Sequence, residues 1–169
     1  MTDQEALAAD IAQAVRHEIG GAFKRIEACV ERLSDDQIWA RGGEHENAVG
    51  NLILHLAGNV RQWIICGLGG SDDRRERPAE FARRQALPRD ELLGTLRTTL
   101  DEAFTVLDAL DPVQLLPKRK IQAYEVSGLH AVMHVATHFG EHTGQIIWAT
   151  KRVTGEDLGF YDYLDKKAD

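Results

Sequence analysis

SGLHAVMHVATHFGEHTGQIIWATKRVTG, residues 127–155, carries apolar side chains at Ala131, Val132, Val135, Phe139 and Ile146, a spacing of threes and fours that lines one side of an α-helix. Ser127 stands where its hydroxyl can cap that helix, and the pattern persists to about Thr154-Gly155. The segment also holds four histidines at a strict step of four: His130, His134, His138 and His142. Neighbours in such a ladder lie ~6 Å apart along the axis and about 40° apart around it, so an adjacent pair can direct two imidazoles at one ion. The ladder's ends are ~18 Å apart along the axis, so a single ion cannot be reached by all four. With His138 set at zero, about 100° per residue places the apolar stripe between about 20° and 120°. His142 then falls at about 40° and His138 at the stripe's near edge, so these two face the bundle interior; His134 at about −40° suits a role beside them, and His130 at about −80° reads as surface.

A third ligand is offered by His55, inside the apolar run Asn51-Leu52-Ile53-Leu54-His55-Leu56-Ala57. That run belongs to a second helix, expected from about Glu46 to Cys66, which stops where Gly67-Leu68-Gly69-Gly70 removes helix propensity. His55 lies about 60° from Leu52 and about 80° from Trp63, a core-edge position like that of His138. Three imidazoles on facing helices suit one divalent ion, zinc, nickel or iron(II), with at least one position left for water or substrate.

Two further periodic segments complete an all-α reading with four bundle helices. One begins at Thr2, which with Glu5 forms a capping-box pattern, and runs through Ile11, Val15, Ile19, Phe23, Ile26 and Val30 to about Leu33. The other starts near Pro88, continues through Leu92, Leu96, Leu100 and Leu107, and ends at Asp111-Pro112. Between them Ser71 to Leu87 reads as a long charged crossover with a short helix near Ala79–Arg84, and a second long connection runs to Val126. Alternating strand patterns bounded by turn residues are nearly absent. The tail aromatics Phe160, Tyr161 and Tyr163 are expected to fold back on the bundle.

At 169 residues the chain fits a single domain, 1–169. The net charge of −7 argues against a nucleic-acid partner, and the clusters Arg74-Arg75, Arg83-Arg84 and Lys118-Arg119-Lys120 read as solvated surface. No apolar run approaches the ~20 residues of a membrane span, and the polar N-terminus does not read as a secretory signal. Two cysteines, Cys29 and Cys66, are too few for a disulfide framework, which suits a cytoplasmic location; Cys66 reads as core.

The helix-two run Asn51-Leu52-Ile53-Leu54-His55-Leu56-Ala57-Gly58-Asn59, together with His134-Val135-Ala136-Thr137-His138-Phe139-Gly140-Glu141-His142-Thr143-Gly144-Gln145-Ile146-Ile147, resembles the DinB-like (YfiT-like) metal-binding bundle superfamily. The resemblance implies up-down-down-up topology with long crossovers, a homodimer, and a divalent metal on the residues matching His55, His138 and His142. It also implies thiol-dependent transferase or isomerase chemistry, with a low-molecular-weight thiol as co-substrate.

The expected function is therefore a metal-dependent enzyme, thiol-dependent in some relatives, acting on a small electrophilic molecule in detoxification or stress response. The alternative is a non-catalytic, metal-stabilised dimeric bundle. In the enzyme reading His134 exchanges a proton and Asn51, one turn before His55, orients substrate. Gln122 and Tyr124, just before the histidine helix, fall where they could line the site mouth, whereas Glu141 points away into solvent. Ile147 and Trp148 could serve either a dimer interface or the monomer's own core.

Overall fold

The four long periodic segments fold as helices in the computed structural model, which describes residues 2–165, and shorter elements occupy the connections between them. The expected domain boundaries at Met1 and Asp169 lie outside those residues. Helix α1 spans Asp3–Glu31, started by the Thr2–Glu5 capping box. A short α2, Asp35–Trp39, follows it behind a second capping box, Ser34 with Gln37. Helix α3 covers Val49–Val60 and passes directly into a π-helical turn, Arg61–Cys66. Helix α4, Arg77–Ala82, lies in the crossover, and α5 spans Arg89–Asp108. A 3-10 turn at Pro112–Gln114 leads to an antiparallel hairpin, β1 Lys118–Ile121 and β2 Tyr124–Ser127. Helix α6, Gly128–Thr154, begins with the Ser127 hydroxyl accepting from His130 N–H and ends at Gly155, whose φ of 72° gives the left-handed cap that glycine tolerates. Helix α7, Asp162–Asp165, closes the described chain.

Several elements depart from expectation for local reasons. The second long helix starts at Val49 rather than Glu46, because Glu46 is held in the preceding loop: its carboxylate accepts from Gly42 N–H and its carbonyl from Arg41. Pro88 caps α5 instead of occupying its first turn. The hairpin is a small exception to the all-helical reading; it pairs Ile121 with Tyr124 and Arg119 with Val126 and buries Ile121. Of the tail aromatics, Phe160 packs half-buried on the core while Tyr161 and Tyr163 are exposed. On α6 Ile147 packs against the core, and Trp148 faces outward with Arg152 over its ring at 5.3 Å.

The core lies among α1, α3, α5 and α6. Helix α1 packs on α6 and α5, and α3 packs on α5 and α6. Ile19, Ile26, Ile53, Leu56, Leu92, Leu96, Val135, Phe139 and Ile146 are essentially inaccessible within one cluster, each aliphatic side chain contributing ~1.5–3 kcal/mol by burial. Buried hydroxyls on the helices are satisfied locally: Thr143 donates to Phe139 O at 2.7 Å and Thr150 to Ile146 O at 2.9 Å. Among the described residues no helix is long and apolar enough to cross a membrane.

Candidate metal centre

Helix α3 and helix α6 bring His55, His138 and His142 together, with one ring nitrogen of each within 4.8 Å of the others. His55 is buried, and His138 and His142 are half-buried, as is His134. The Nε2 atoms of His55 and His138 stand 2.9 Å apart, and the His142 ring meets both of the others edge-on. Burial, and then the proximity of His142 and His55, hold His138 down to about 3, far below the usual imidazole value. Burial likewise lowers His55, although its hydrogen bond to Glu80 opposes the shift. Both rings are therefore neutral near pH 7, the form in which imidazole can donate a lone pair.

The tautomers follow from the oxygens around the site. His55 Nδ1–H donates to Glu80 Oε2 at 2.9 Å, and His142 Nδ1–H to Gln145 Oε1 at 2.7 Å. Glu141 Oε2, on an exposed side chain, lies 3.9 Å from His138 Nδ1. Hydrogen-bonded oxygens thus place the proton on Nδ1 of His55 and His142 and leave their Nε2 lone pairs available, whereas Glu141 at 3.9 Å is too far to hydrogen-bond His138 Nδ1. The His55 Nε2 lone pair faces His138 Nε2 at 2.9 Å, a contact satisfied either by a proton on His138 Nε2 or by a cation accepting from both nitrogens. This donor set fits a borderline divalent ion.

Glu80 itself was not legible as a site residue, and neither was its partner. The Arg75 guanidinium grips it in a fork, Nε to Oε1 at 2.7 Å and Nη2 to Oε2 at 2.8 Å, with only 3% of the Arg75 side chain exposed. Burial alone would raise the Glu80 carboxyl, but the hydrogen bonds from Arg75 and His55 outweigh it and hold the group below its ordinary value. Arg75 Nη2 also lies 3.1 Å from His55 Nδ1, yet a guanidinium only donates, so its proton goes to the carboxylate and Nδ1 keeps its own. Gly58 makes room for the pair, since a Cβ there would fall on Glu80 Oε1 and 2.9 Å from Arg75 Nε. Arg75, expected as part of a solvated basic cluster, is instead the buried anchor of the crossover. Arg119, also read as solvated, is half-buried and donates to Gly67 O at 3.0 Å and Gln114 O at 2.7 Å.

His134 does not join the three. Its ring stacks on Trp63 at 3.9 Å and lies parallel to His138 at 5.3 Å, and its Nε2 is 3.3 Å from Asn59 Nδ2, the donor of that contact. Burial lowers its pKa, so it too is a neutral base near pH 7. The π-helical turn leaves successive residues Gln62 and Trp63 both buried and so brings Trp63 onto His134. A cavity of about 310 Å³ opens beside His55, His134 and His138 and is lined also by Gln122, Tyr124 and the exposed His130. Asn51 is fully buried and bonded into the crossover: its amide donates to Glu80 O at 2.7 Å and Arg83 O at 3.2 Å, and its oxygen accepts from Arg41. Cys66 is half-buried, donates to Asp72 O at 3.4 Å, and has its thiol pushed up by burial and by Asp73. A larger groove of about 1080 Å³ between the start of α1 and the Pro112–Leu116 segment contains none of the site histidines.

Comparison with known proteins agrees with the architecture. The chain is similar to a crystal structure described as that of the conserved protein of a locus from Enterococcus faecalis, with a TM-score of 0.73 and 17% identity over 85% of this chain and 97% of that one. At that identity the likeness concerns the fold alone. No curated protein matches the sequence. The family model described as "Protein of unknown function (DUF1572)" matches residues 6–161, and the chain belongs to that family.

Proposed function

We propose that this chain binds one divalent ion through His55, His138 and His142 and works as a metal-dependent enzyme on a small electrophilic substrate, in detoxification or stress response. The observation that carries the reading is the convergence of three histidine ligands from two helices, with a carboxylate and an amide oxygen at Nδ1 of His55 and His142. Zinc, nickel or iron(II) bound there would act as a Lewis acid and lower the pKa of a water or thiol in its remaining position. Glu80 holds His55 to one tautomer and one orientation. His134, neutral and at the cavity wall, accepts the proton released there. Asn51 contributes by fastening the crossover that carries Glu80, so that its effect on substrate runs through position.

The resemblance to the DinB-like superfamily supports the finer points of this proposal: up-down-down-up helices in a single domain, a cytoplasmic homodimer, and transfer that uses a low-molecular-weight thiol. Metal content by mass spectrometry on protein purified without an affinity tag tests the core claim. Wild type and His134→Ala should carry about one ion per chain, and His55→Ala, His138→Ala and His142→Ala should lose it. Wild-type protein that binds no zinc, nickel or iron(II) on titration would overturn it.

A further inference from the structure

We infer that the cavity beside the three histidines is a subsite for a small, flat organic anion, a single unsaturated or aromatic ring carrying one carboxylate. The inference rests on the metal reading for what occupies the cavity's inner end, and on separate observations for what the rest of it recognises.

The first observation is charge. Apart from histidines, the lining consists of Asn59, Trp63, Arg77, Gln122 and Tyr124, with no carboxylate among them, in a chain that has 27 aspartates and glutamates. Arg77 has no ion-pair partner among the described residues, and its guanidinium is held over the Phe81 ring at 4.9 Å. Phe81 in turn packs on His55 with ring centroids 4.6 Å apart. Arg77 therefore differs from Arg75, whose charge is already matched by Glu80: it is an exposed cation at the cavity rim, held over Phe81, with no carboxylate paired to it among the described residues.

The second observation is an orphaned donor. Trp63 is 2% exposed, lines the cavity, and its indole N–H has no acceptor among the described residues. Buried donors of this kind nearly always have a partner, and because this nitrogen is closed to solvent, a ligand oxygen reaches it only with a small shift of the indole ring. Shape and size narrow the class. The Trp63 and Tyr124 rings stand 6.2 Å apart at 35°, aromatic surface that suits a flat ligand. About 310 Å³ is at the lower end for ligand pockets and suits one substituted ring.

The hairpin tip supplies the outer wall at a conformational cost. Gln122 has a φ of 56°, a left-handed backbone that a non-glycine residue adopts at a cost of ~1–3 kcal/mol. Its amide donates to Gln62 Oε1, the same oxygen that accepts from Arg75 Nη1 at 2.9 Å. The wall that meets the ligand is thereby tied to the ion pair that orients His55.

Calorimetric titration of metal-loaded protein with benzoate, and with benzamide as the neutral ring of the same size, tests the assignment. Benzoate should bind at least about tenfold more tightly than benzamide, and Arg77→Met should remove about tenfold from benzoate alone while leaving metal content unchanged. Tyr124→Ala should weaken both ligands together. Equal binding of the two probes, an Arg77→Met variant that binds benzoate as well as wild type, or no benzoate binding at all would overturn the inference. Metal content measured on the same samples keeps the two readings apart. If no ion is taken up, the metal reading has failed, and the same titrations on metal-free protein still decide whether the anion subsite exists.

Discussion

Glu80→Ala removes both oxygens that grip Arg75 and the acceptor at His55 Nδ1. Arg75 would then be a buried cation whose remaining acceptors are Gln62 Oε1 at 2.9 Å and His55 O at 3.4 Å. Removing one partner of a buried ion pair costs ~3–5 kcal/mol, and the two surviving neutral acceptors argue for the lower end, ~3 kcal/mol. Against a typical total of ~5–15 kcal/mol this is a large fraction, and with a urea m-value of ~1–3 kcal/mol/M the unfolding midpoint should fall by roughly 1–3 M. Losing the Nδ1 acceptor should separately weaken metal binding by ~10–100-fold, read by competition with a chromogenic chelator. The double variant Arg75→Met with Glu80→Leu separates the two effects. It leaves no unpaired charge, so most of the stability should return, but His55 still lacks its acceptor and metal affinity should stay low. If the double variant binds metal as wild type does, Glu80 acts only through folding and its tautomer role is refuted. If Glu80→Ala unfolds at the wild-type midpoint, the Arg75–Glu80 pair does not hold the crossover.

Gly58→Ala should destabilise by about 1–3 kcal/mol despite alanine's higher helix propensity, because its Cβ meets the Glu80 carboxylate; Gly94→Ala on α5, where nothing lies within 4 Å, should instead stabilise by ~0.5–1 kcal/mol, both read by urea unfolding. Metal-free protein should lose stability on acidification. Because His55, His134 and His138 have folded pKa values below the unfolded one of ~6.5, the unfolded chain binds more protons below that pH. Their contribution is present above ~6.5 and is lost as pH falls, for His138 down toward about 3; a urea midpoint that is flat between pH 7.5 and 5.0 would contradict this.

What could be read from the residues divides along the range of the forces involved. The choice of His138 and His142 over His134 and His130 needed only the angular step of a helix and the direction of its apolar stripe, both local; the structure brings those two rings together with His55, while His134, equally half-buried, stacks on Trp63. Glu80 and Arg75 escaped because arginine and glutamate in a charged loop are ordinarily solvated; their burial depends on the crossover's path across α3 and on Gly58, which no local pattern encodes. The hairpin escaped because its tip, Gln122-Ala123, has none of the Gly, Asn or Asp residues that announce a tight turn, although Ile121, Tyr124 and Val126 favour strands. Helix α2 did leave a signal, the Ser34–Gln37 capping box, which is short enough to pass for a loop.

The two long connections determine the site as much as the bundle does. Helix α6 alone supplies two of the three candidate histidines at a fixed spacing, but the third ring is oriented by the crossover through Glu80 and backed by Phe81 from the same segment. The second connection reaches this assembly through Gln122, whose hydrogen bond to Gln62 joins the Arg75 network. His55 thus stands where both connections meet one helix, on the turn before the backbone widens into its π segment and presents Trp63 to His134. A change in either connection is therefore transmitted to His55 by a short chain of part-buried hydrogen bonds, so residues outside the bundle helices can alter the orientation of that ring and the shape of the adjoining cavity together.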